Sequence, residues 1–159
     1  MTKRCVLLLA TLLLGLALPR LTLAQATVEK SRARFPFSMT LLSCPDQNEL
    51  VSIEGEELFI FETVLDANGG SHSQLRSVAH GTGRGLSSGK KYQFNQNSSF
   101  VTNTGNSECS QLELTGVQEF RLISQGGSDN FKMQSTFHLT MNANCELTAF
   151  VDNAHTECQ

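Results

Sequence analysis

The stretch Phe131–Met141, FKMQSTFHLTM, decides the fold. Phe131, Met133, Ser135, Phe137, Leu139 and Met141 alternate with Lys132, Gln134, Thr136, His138 and Thr140. A period of two sends the first set to one face of a strand and the second set to the other; a helix would repeat its apolar residues every three to four positions. Turn residues bracket the stretch. Gly126-Gly127-Ser128-Asp129-Asn130 precede it, Asn142-Ala143-Asn144 follow it, and Leu147, Ala149 and Val151 run back. Upstream, Leu112, Leu114, Val117, Phe120, Leu122 and Ile123 mark a long strand, with a bulge or break expected at Gly116.

The same grammar extends toward the N-terminus. Phe35, Phe37, Met39 and Leu41 alternate with Pro36, Ser38 and Thr40; Leu50, Ser52 and Glu54 alternate with Val51 and Ile53; and Leu58 to Leu65 is a nearly continuous apolar run rich in β-branched and aromatic residues. Asp66-Ala67-Asn68-Gly69-Gly70 then carries the Asn-Gly hairpin signal, since both residues accept positive φ. Ser71–His80 reads as the returning strand and Gly81–Gly89 as a turn or bulged region. Tyr92 with Phe94, and Phe100 with Val101, read as two short strands around a polar tip, Asn95–Ser99. Asn103–Ser110 reads as a polar loop. Helical periodicity is missing. Short alternating strands between regular turns predict an all-β fold, an antiparallel β-sandwich, with a closed β-barrel as the alternative.

The N-terminal residues follow a different rule. Lys3 and Arg4 precede an uncharged apolar run, Cys5–Leu18, which Pro19 and Arg20 end; Ala24-Gln25-Ala26 then supplies a small-x-small site. This is the layout of a secretory signal peptide over residues 1–26, cleaved after Ala24 or Ala26. The run is shorter than the ~18–20 residues a spanning helix needs, so no transmembrane segment is expected after cleavage. Residues 27–34 are polar and read as a flexible lead-in. Residues 35–159 read as one β domain, as expected for a chain of 159 residues.

Cleavage alters the composition. Losing Lys3, Arg4 and Arg20 takes Lys+Arg from 12 to 9 against an unchanged 15 Asp+Glu, and the formal charge moves from −3 to −6. Nucleic acid and anionic membrane surfaces are poor partners for such a chain. Cys5 also leaves, so five Cys become four, an even number that reads as a disulfide framework in an exported protein. In a meander of the last three strands, Cys109 and Cys145 emerge at one end and Cys158 at the other. That favours Cys109–Cys145 and, by elimination, Cys44–Cys158. The rival Cys145–Cys158 needs the chain to double back within 12 residues.

Four strings, Asp66–His72, Gly83–Tyr92, Ser124–Phe131 and Thr136–Asn144, resemble a family of small exported proteins of unknown function found mainly in bacterial genomes. The ending Val151-Asp152-Asn153…Glu157-Cys158 is similar as well, so the resemblance spans roughly Leu41 to Cys158. It implies export, and a Cys near the first strand that accompanies the terminal Cys, in agreement with Cys44–Cys158. The family's Asn-Ala-Asn turn is usually followed by Gly, where this chain has Cys145, so Cys109–Cys145 reads as an addition of this branch. Gln74–His80 departs from the family pattern, which carries a second His soon after the first. The resemblance implies no activity.

Candidate sites are few. His72 and His80 share a strand face and His138 lies on another strand, but no His-x-His or His-Glu-x-x-His spacing is present, and no metal or other cofactor is expected. Asp66-x-Asn68-Gly69 opens like a calcium loop without completing the ligand order, so these residues read as hairpin formers. Gly81–Lys91 misses the phosphate-loop spacing, and Lys91 stands where Ser or Thr should follow Lys90. Gly-x-Ser-x-Gly is absent, so no catalytic residue is singled out. Carbohydrate platforms favour Trp and Tyr, and the chain has no Trp and one Tyr. Asn97-Ser98-Ser99 is a glycosylation sequon that matters only in a eukaryotic secretory pathway. The expectation is an exported, non-catalytic binding or interaction module for a protein partner. A carrier holding a small apolar ligand in an interior pocket is the alternative, and an exported hydrolase the more remote one.

Overall fold

The computed structural model describes residues 25–44, 49–106, 111–126 and 130–158. The expected signal peptide falls almost wholly on residues 1–24, outside the described residues. Seven strands follow one another: β1 Thr27–Leu42, β2 Leu50–Leu65, β3 Ser71–Gly85, β4 Lys91–Thr104, β5 Leu112–Ser124, β6 Phe131–Met141 and β7 Leu147–Cys158. Each pairs antiparallel with the next, in the order β1-β2-β3-β4-β5-β6-β7.

The fold is therefore all-β and antiparallel, but the expected second sheet of a sandwich is replaced by one continuous sheet. A sandwich needs a connection that leaves one sheet for the other; here every strand pairs with the next one in the sequence. The barrel is not closed either: no ladder joins β1 to β7 among the described residues. The sheet instead curls. The Phe37 ring on β1 meets Phe94 on β4 edge-on with centroids 5.7 Å apart, across two intervening strands. Cys44, just past β1, is disulfide-bonded to Cys158 at the end of β7, with Cα atoms 5.7 Å apart. The bond draws the two edge strands together at one end. Cys145 is also disulfide-bonded, and its expected partner, Cys109, lies outside the described residues.

Four local readings change. Residues 27–34 are not a lead-in but the first half of β1, in register with β2 from Thr27↔Leu65 to Arg34↔Leu58. Their side chains are exposed, which is why they look like a tail in the sequence. The polar tip Asn95–Ser99 is the middle of β4, paired on both sides. β5 runs unbroken through Gly116, where the Phe137 ring from β6 lies over the glycine and a Cβ would collide with it. The region Gly81–Gly89 divides: Gly81, Gly83 and Gly85 end β3, and only the next residues turn.

The Asp66–Gly70 hairpin forms as read. Asp66 Oδ1 accepts N–H bonds from Asn68 at 2.7 Å and Gly70 at 3.0 Å, and Gly69 takes φ +87°. At the last hairpin, Cys145 has φ +62°, alone among the described non-glycine residues in taking a positive φ. Glycine adopts this conformation more readily than any residue with a Cβ.

Candidate functional site

The register assigns every strand residue to one of two faces, because directly opposed residues share a face. The inner face bears the core: Val51, Ile53, Ala79, Tyr92, Phe94 and Leu122, with Phe37, Met39, Leu41, Phe120 and Phe131 packed against them. All lie toward the end tied by Cys44–Cys158. Glycine makes room there. A Cβ on Gly83 would stand 2.8 Å from Val51 Cγ1 and 3.3 Å from Tyr92 Cβ.

Glu49 plugs this closed end. Its carboxylate accepts bonds from the Ser87 hydroxyl (2.8 Å), the Ser88 N–H (2.7 Å), the Ser88 hydroxyl (2.9 Å) and the Tyr92 hydroxyl (3.1 Å). A side chain on Gly85 would collide with it. The Ser88 hydroxyl and N–H, helped by Ser87 and Tyr92, hold its pKa down at about 2, against the opposing pull of burial. Glu49 was not legible as a site residue; the Ser87-Ser88 pair was its only trace in the sequence. Its partners fix the β3–β4 turn to the start of β2, which is a structural task.

Past the core, a belt of small and polar residues crosses the inner face. Ser77 on β3 and Ser98 on β4 are buried and share a hydrogen bond of 2.6 Å. Gln118 on β5 and Ser135 on β6 continue the row. Beyond the belt, toward the untied end, the inner face is mixed: β1 to β4 carry Glu29, Ser31, Thr63, Ser73 and Thr102 there, and β5 to β7 are mainly apolar. Phe61, Leu75, Phe100 and Phe137 form one row, interrupted at Gly116 by the Phe137 ring itself and ended by Asp152 on β7. Leu114, Leu139 and Phe150 lie in the next row, and Leu65, Leu112, Met141 and Leu147 in the last. Phe100 and Phe137 stack in a tilted pair with centroids 6.0 Å apart. Of these, Phe61 and Leu65 are 42% exposed, and Leu147 and Phe150 are 59% exposed. The rest are half-buried. Nothing among the described residues covers them. The phenylalanines that the sequence reads as core thus divide into a packed set and an uncovered set.

The histidines sit on the outer face. His72 Nδ1 bonds Asn103 Oδ1, His80 Nδ1 meets Asn95 Oδ1 at 2.8 Å, and His138 Nδ1 meets Thr115 Oγ1 at 2.8 Å. Each partner is one strand away, so the three rings are used separately. No group of three or more His, Cys, Asp or Glu among the described residues is arranged to hold a metal ion. Asn97 of the sequon is exposed on this face, whereas Ser98 points inward into the belt. Two shallow outer grooves, of about 620 and 580 Å³, follow β2 and β3 beside Glu54 and Thr82. Tyr92, the one tyrosine, is buried and turned toward Glu49.

No helix of the described residues is long and apolar enough to cross a membrane. In comparison with known proteins, the chain matches no family model, no curated protein and no solved structure.

Proposed function

We propose that the chain is an exported, non-catalytic binding module that receives an apolar partner on the inner face of its open half. One observation carries this reading: past the Ser77–Ser98 belt Phe61, Leu65, Leu147 and Phe150 stay exposed on the inner face, beside half-buried Phe100, Leu114, Phe137 and Leu139. Exposed apolar side chains gathered on one face, rather than scattered singly, mark interaction sites in soluble proteins. Export is supported by the signal-like N-terminus and by the Cys44–Cys158 disulfide, which suits an oxidising compartment. The resemblance to small exported bacterial proteins agrees with it. The hydrolase reading has no geometry to build on among the described residues. A carrier for a small apolar ligand draws on the same concave surface and is the second reading.

The test is a titration with 1-anilinonaphthalene-8-sulfonate. The folded protein should bind the dye saturably, and Leu139→Asp should weaken binding about tenfold while circular dichroism stays unchanged. Absence of saturable binding to the folded protein contradicts the proposal. Native mass spectrometry of the exported protein separates the readings, since a carrier should retain a small apolar molecule.

A further inference from the structure

We propose that the gap between β1 and β7 accepts an extended polypeptide segment as an eighth strand, antiparallel to both. This rests on the reading that the open half binds, and it specifies what binds. β1 and β7 are both edges, each with a row of N–H and C=O groups lacking a ladder partner among the described residues. Both are exposed on both faces over 27–36 and 147–156, unlike the five strands between them. The Cys44–Cys158 bond ties their ends, so the two edges belong to one gap rather than to two separate surfaces.

Strand parity selects the occupant. In a meander the odd-numbered strands run the same way, so β1 and β7 both run toward the disulfide. Closing the sheet on itself would pair them parallel, the weaker arrangement, in a molecule whose other pairings are all antiparallel. One added strand pointing away from the disulfide would be antiparallel to both and, beyond the tied end where the Cα atoms stand 5.7 Å apart, would complete an eight-stranded barrel, whose interior side chains can fill. Such a strand must have two free edges. The edge strand of a folded sheet has only one, which excludes a second folded copy of this chain. A small apolar molecule would leave both rows of backbone groups to water. A disordered or terminal segment of a partner protein satisfies both.

The walls set its chemistry. Inward positions would meet Ala33 and Phe35 of β1 and Phe150 and Ala154 of β7 and should be apolar there, whereas those beside Glu29, Ser31 and Asp152, which also turn inward, should be polar. Outward positions would meet Lys30, Arg32 and Arg34 of β1. Lys30 is paired with Glu62 and Arg34 with Glu56, whereas Arg32 makes no ion pair or hydrogen bond among the described residues. An acidic residue is favoured opposite Arg32. The occupant is thus an extended segment of about ten residues, ~33 Å long, alternating apolar with polar or acidic side chains.

The experiment uses the unmodified exported protein and synthetic decapeptides. One alternates Val or Phe with Thr or Glu; a second has the same composition with the alternation scrambled; a third has Pro at its centre. Anisotropy titration and amide hydrogen exchange are read together. The alternating peptide should bind at least tenfold more tightly than either control, and should slow exchange in both 27–36 and 147–156 without slowing β3 or β4. Equal binding of all three peptides, or protection of one edge alone, overturns the strand insertion. So does a concentration-dependent dimer that protects an edge without peptide. Saturable dye binding without edge protection overturns the insertion while the open-half reading stands; failure of both removes both.

Discussion

At the scale of single residues, Glu49 shows how a closed end is held by neutral donors around one carboxylate. Its pKa is lowered from 4.5 to about 2, chiefly by Ser88. A group lowered on folding contributes stability that is fully present above its unfolded pKa and lost as pH falls through its folded one. The contribution should therefore persist at neutral pH and disappear between about pH 4.5 and pH 2. Denaturant melts across that range should show Glu49→Gln less stable than the wild type at pH 7, with the two curves converging by pH 2. Parallel curves would contradict the assignment. Gly116 gives a second prediction. Its missing side chain is occupied by the Phe137 ring, so Gly116→Val should cost about 1–3 kcal/mol of unfolding free energy by overpacking. Neither effect was readable from the sequence, because Glu49 and Gly116 acquire their roles from partners on other strands.

At the scale of elements, legibility followed the environment of each strand. β6 was plain because its apolar residues face inward and, apart from Ser135 in the belt, its polar residues face outward. β4 was misread because it crosses the polar belt: Asn95, Asn97 and Ser99 face outward while Gln96 and Ser98 line the belt, so no alternation survives in its middle. The first half of β1 was misread because an edge strand on an uncovered rim needs little apolar content. Lys30–Glu62 at 2.9 Å and Arg34–Glu56 at 3.3 Å accompany that pairing, but both pairs are exposed. Exposed pairs contribute little, so Lys30→Ala and Arg34→Ala should each change stability by less than about 1 kcal/mol in chemical denaturation. The pairing itself rests on the backbone ladder.

At the scale of the molecule, the Cys44–Cys158 bond converts a linear meander into a curled sheet with one packed and one open half. It closes a span of 114 residues. On the chain-entropy account such a bond contributes roughly 4–5 kcal/mol. Cys44→Ser with Cys158→Ser should lower the denaturation midpoint accordingly, and should weaken dye and peptide binding by letting the two edges separate. The sequence carried this pairing through strand count and turn positions. It could not tell one curled sheet from two stacked ones, since both use the same alternation, nor packed phenylalanines from uncovered ones.

The central claim is that the sheet stays open between β1 and β7, and residue-resolved amide exchange of the free protein tests it most directly. The account predicts that alternate amides along 27–36 and 147–156, those turned away from β2 and β6, exchange nearly as fast as in an unfolded chain, while β3–β5 are protected. Protection of every amide along both edges in the unliganded monomer would mean a closed barrel, and would contradict the account.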